Sequence, residues 1–106
     1  MPKTPRPPRT FDDFSETFPT LRKAWDLLGD AGAEGPLDEK TARLVKLAIC
    51  IGAMREGGVH SAARKARGSG ASEEEMRQVV ALAASVIGMA STVAVWTWVR
   101  DVDKKV

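Results

Sequence analysis

Apolar side chains recur at helical spacing from Phe18 onward: Phe18, Leu21, Trp25 and Leu28 fall on one stripe, and Gly29 and Gly32 are expected to end that segment. The loop "AEGP" leads to Asp38 and Glu39. Their negative charge suits the positive end of a helix dipole, so a second helix is predicted to start there. That helix, "DEKTARLVKLAICIGAM", keeps Lys40, Arg43 and Lys46 on one stripe and is apolar elsewhere. Cys50 continues the charged stripe, so it need not be a deep core residue. Gly57 and Gly58 are expected to break or bend the chain before a short third helix, "VHSAARKAR", which "GSG" stops. Ser72 and Glu75 then spell a capping box, the serine accepting from the first turn while the glutamate reaches back. Gly88 divides the remaining apolar run into two helices. No segment alternates with period two for long, so the pattern predicts an all-α fold of about five helices.

No residue from Gln78 to Val99 is charged. A run of more than about 18 such residues is normally a transmembrane candidate. Here alanine, serine, threonine and Gly88 make up much of the run, so its transfer free energy is weak and a buried hairpin or subunit contact is expected instead. "VWTWV" sets Trp96 and Trp98 on different sides of the last helix. One of them is expected to pack against another chain, which makes the protein a homo-oligomer. Met54, Met76 and Met89 are expected to fill the core.

Composition narrows the function classes. At 106 residues the chain is the size of one domain, with a core that oligomerisation would help. A net charge of +2, with no basic run interleaved with aromatics, gives no reason to expect nucleic acid. One cysteine excludes an intrachain disulfide framework and a thiolate zinc site, so no metal or cofactor is expected and a reducing compartment is. No apolar segment follows the basic start, so neither a signal peptide nor a membrane partner is expected, and the cytoplasm is the default location. The first ten residues, "MPKTPRPPRT", hold four prolines and three cations and no acid. Proline lacks the amide donor and fixes φ, so residues 1–10 are expected to form a disordered basic arm, with one helical domain over 11–106.

Two stretches together, "PLDEKTARLVKLAICIGAM" and "GSGASEEEMRQVVALAASVIGM" separated by a helix, resemble the carboxymuconolactone decarboxylase and alkylhydroperoxidase D superfamily. The resemblance covers roughly Phe18 to Thr97. It implies an all-helical fold that assembles into trimers or hexamers. In the superfamily's peroxidase branch a CxxC pair precedes a histidine, and a glutamate stands on the preceding helix. A nearby base generates the attacking thiolate and the second cysteine resolves the oxidised first one. Here the resemblance puts the cysteine positions at Arg55 and Gly58, the histidine position at Ala62 and the glutamate position at Arg43. All four are replaced, and a guanidinium serves as neither base nor nucleophile near neutral pH. A thiol peroxidase label is therefore not supported by the residues. The decarboxylase branch has its histidine at the same place, so Ala62 counts against that activity as well.

What survives is "GGVHSA", in which Val59, His60 and Ser61 match a branch that carries an earlier histidine. Glu56 lies four residues before His60 and could orient its imidazole. Arg55 and Arg64 could hold a carboxylate, since a guanidinium grips it through two parallel hydrogen bonds. One expectation is thus an enzyme or binding protein for a small organic acid, with His60 and Glu56 catalytic and Arg55 and Arg64 binding substrate. The alternative is a non-catalytic oligomeric module whose ancestral site has decayed. In both, Cys50 is expected to be a packing residue.

Overall fold

The computed structural model describes residues 9–104, with side chains to 102. Of the expected basic arm, residues 1–8 lie outside that range, and Arg9 and Thr10 already belong to a helix. Among the described residues there are six helices and no strand: α1 (Arg9–Thr17), α2 (Pro19–Ala33), α3 (Glu39–Gly52), α4 (Glu56–Gly68), α5 (Glu73–Ile87) and α6 (Met89–Lys104). The all-α reading holds. The sixth helix is α1, which the proline-rich start obscured. The chain divides into two compact units, one of α1 and α2 and one of α3 to α6.

In the first unit α1 and α2 are separated by Phe18 alone, with Pro19 opening α2, where its missing amide costs nothing. The guanidinium of Arg22 ties the pair together. It lies over the Phe11 ring at 5.1 Å and donates to Ser15 Oγ at 3.3 Å, and it also pairs with Asp26. Helix α2 runs through Gly29 and Gly32, where the sequence predicted an end. A glycine inside a helix costs only about 1 kcal/mol, and the effective stop is Gly35, at φ +133°, followed by Pro36. No residue of α1 or α2 is buried.

The second unit holds the core. Leu47 and Ile51 of α3 meet Val59, Ala62, Ala63 and Ala66 of α4, Met76 and Val80 of α5, and Val95 and Val99 of α6. Each large side chain buried this way is worth roughly 1.5–3 kcal/mol. Three alanines on the inner face of α4 let its neighbours approach closely. Both tryptophans of α6 pack partly against this core, contrary to the expectation that one would face away. A half-buried position at each flank of a helix accommodates two rings that a single inward stripe would not. Of the three methionines expected in the core only Met76 is there, while Met54 and Met89 are exposed. No described helix is long and apolar enough to cross a membrane.

The bend expected at Gly57 and Gly58 occurs three residues earlier, and both glycines lie in the first turn of α4. The α3 terminus explains the shift. Arg55 N–H donates to Cys50 O and Met54 N–H to Ile51 O, with Met54 left-handed at φ +53°. This bonding closes a helix whatever the side chains downstream. Helix α4 ends on the same pattern, Ala71 to Ala66 and Gly70 to Arg67, with Gly70 at φ +96° and both alanines buried.

Candidate functional site

Helix α4 carries the residues singled out from the sequence. Glu56, His60 and Arg64 follow at intervals of four, one above the other along one stripe. His60 Nε2 stands 3.6 Å from Glu56 Oε2, and the imidazole is 32% exposed, so it is reachable from solvent without being free of the helix surface. Arg64 Nη2 donates to Ser61 Oγ at 3.4 Å. Its Nε is buried and has no hydrogen-bond partner among the described residues. Arg55 is the exposed residue that caps the start of α4. The nine-residue separation from Arg64 corresponds to about 13 Å of helix rise, so the two guanidinium stems do not start from one place.

Two of the four positions that the resemblance assigns to the redox site, Gly58 and Ala62, are closed. A Cβ built on Gly58 would stand 3.2 Å from Cys50 Sγ and 3.7 Å from Cys50 Cβ. The thiol of α3 thus fills the space that a side chain at position 58 would take. Ala62 is buried in the core. Cys50 itself is half-buried, a free thiol packed against the core, the packing residue that the sequence led one to expect.

Beside this stripe lies a second group that the sequence pattern does not assemble. Lys65 of α4 is held below the usual lysine range, first by burial and then by Arg43, Lys46 and Arg64, with Cys50 acting in the opposite direction. Arg43 and Lys46 are visible in the sequence as one stripe of α3. Lys65 joins them only because α3 packs against α4. Elsewhere in this unit Glu75 accepts from Lys40 at 2.9 Å and from the Ser72 amide at 2.8 Å. The Ser72 amide and then Lys40 hold its carboxyl below the ordinary glutamate range. Among the described residues no cluster of three or more histidine, cysteine, aspartate or glutamate side chains could hold a metal ion.

An apolar groove of about 370 Å³ runs between α3 and α5, lined by residues that include Leu44, Val45, Val79, Leu82, Val86 and Ile87. A smaller cleft of about 10 Å³ lies between α5 and α6 at Arg77 and Trp96. Neither is bordered by His60 or Arg55.

Helices α3 to α6 pack as one helical unit, α4 against α3 and α6, and α5 against α3 and α6. The profile of the carboxymuconolactone decarboxylase family matches residues 19–101, and the chain belongs to that family. It matches no curated protein and no solved structure.

Proposed function

We propose that this family member binds a small organic acid at the outer stripe of α4 and has no thiol peroxidase activity. The reading rests on one observation above all: the single histidine of the chain is set beside Glu56, with Arg64 one turn further along. Arg64 would hold the carboxylate through its guanidinium. His60 is the proton-transfer group of this reading, and Glu56 the group that orients it. Arg55, at the other end of the helix, would meet only the far part of an extended ligand. The exposed apolar side chains Leu82, Val86, Met89 and Val93 support assembly into a homo-oligomer through α5 and α6. A lone cysteine, which needs no oxidising compartment, supports a cytoplasmic location.

A thermal-shift screen of carboxylic acids tests the binding reading. A specific acid at one hundred times its Kd should add about 2.7 kcal/mol of stability through mass action. His60→Ala should remove acid-dependent activity with little change in the unliganded Tm, because the ring is not part of the core. An absence of any stabilising acid would leave the non-catalytic oligomeric module.

A further inference from the structure

The side chains at the two ends of the outer α4 stripe both lean toward its middle. Glu56 reaches forward, its Oε2 3.6 Å from His60 Nε2. Arg64 reaches back one turn, its Nη2 donating to Ser61 Oγ at 3.4 Å, in the turn that carries His60. A carboxylate and a guanidinium thus approach the imidazole from opposite ends of the helix, and the stripe reads negative, imidazole, positive. The backbone rise from Glu56 to Arg64 is about 12 Å, and the lean of both side chains shortens the gap between their charged ends. Two charge-assisted hydrogen bonds of about 2.8 Å each take up much of that gap, so what fits is a molecule whose own two charges lie a few bonds apart. His60 and Arg64 are half-buried beside the core-facing row of Val59, Ala63 and Ala66, which limits the water that screens charges on an open surface. Glu56 also sets what the stripe rejects, because a second carboxylate on the ligand would meet its like charge. The stem of Arg55 at that end starts about 13 Å of rise from Arg64, beyond the span of so small a molecule.

We propose that the α4 stripe selects a small zwitterion, so that the organic acid it takes is an amino acid and neither a plain monoacid nor a diacid. The ligand's carboxylate lies on Arg64, its ammonium lies on Glu56, and His60 stands between the two. This deepens the organic-acid reading above and rests on it: Arg64 supplies the part that any carboxylate uses, and Glu56 supplies the discrimination.

Thermal-shift titration of the full chain with propanoate, alanine and succinate at neutral pH separates the two readings. Alanine should bind about threefold or more tightly than propanoate, which has the same number of carbons and no ammonium. The gain is modest because the Glu56 side chain is 62% exposed. Succinate should bind no better than propanoate. Glu56→Gln should bring alanine level with propanoate and raise succinate relative to both. Alanine that binds no better than propanoate, an alanine advantage that survives Glu56→Gln, or succinate as the tightest ligand overturns the zwitterion and leaves the organic-acid reading standing. Stabilisation by none of the three, or stabilisation that Arg64→Gln does not weaken, overturns both. Should Arg64→Gln fail to fold, Arg64→Lys, which keeps the charge and loses the planar fork, must still weaken all three or both readings fall.

Discussion

Gly58 has no side chain, and Cys50 Sγ fills the space beside it. The distance between Cys50 Cβ and a Cβ at position 58 is 3.7 Å, inside the range in which two cysteines can be bridged. Gly58→Cys should therefore form an intrachain disulfide with Cys50 on mild oxidation. Thiol titration would show both sulfhydryls lost and then recovered with a reductant. Two thiols that stay free under those conditions would refute the packing described. Lys65 supplies a pH prediction of definite sign. Its folded pKa lies below its unfolded value, so between the two the unfolded chain binds more protons and stability rises with pH. Below the folded pKa the charged ammonium costs stability in full. Lys65→Gln should flatten this alkaline rise, measured as Tm against pH from neutral to above the lysine range. An unchanged slope would mean that the burial and the three neighbouring cations do not act on Lys65.

At the level of elements, the link between α3 and α4 decides where the site residues go. The "GG" pair looks like the breaker, yet both glycines are helical and Met54 makes the turn. A left-handed conformation is strained for a residue with a Cβ, by roughly 1–2 kcal/mol. Met54 is exposed and adds little to packing. Met54→Gly should stabilise the protein by about 1 kcal/mol, less what the freer unfolded chain gains. Chemical denaturation reads this directly, and a destabilised variant would show that the Met54 side chain has contacts of its own. The break falls at Met54 because α3's last carbonyls accept from residues 53–55, a bonding pattern that no local glycine dictates. Helix α1 is hidden in the sequence for a related reason: four prolines in the first ten residues mask the recurrence of Phe11, Phe14 and Phe18, whose last two rings lie 5.1 Å apart and tilted by 40°.

For the whole molecule, the unit of α3 to α6 leaves an apolar groove between α3 and α5. Patches of this kind are normally covered in a soluble protein. The homo-oligomer reading expects sedimentation at micromolar concentration to give a mass of more than one chain. Val86, 81% exposed, contributes nothing to the core, so Val86→Glu should shift the mass toward one chain without lowering the Tm of the subunit. A wild-type chain that sediments as a monomer would end that reading. The tryptophans do not support it, because Trp96 and Trp98 both lie partly against the core, with Arg77 over the Trp96 ring at 5.9 Å.

Residue order alone is enough to establish the helical class, the capping box at Ser72 and the break at Gly88. These follow from local rules: spacing of 3.6 residues, a side chain that caps its own helix, and a glycine at φ +88°. It is enough, too, to show that the CxxC pair of the superfamily's peroxidase branch is missing, because the chain has one cysteine. Two features lie beyond any local rule and come from the folded chain. Cys50 occupies the space beside Gly58, and Lys65 gathers with Arg43 and Lys46. Both depend on the register between two helices, which is set by how Leu47 and Ile51 pack against the alanines of α4, and packing of that kind couples residues that spacing along the chain does not pair.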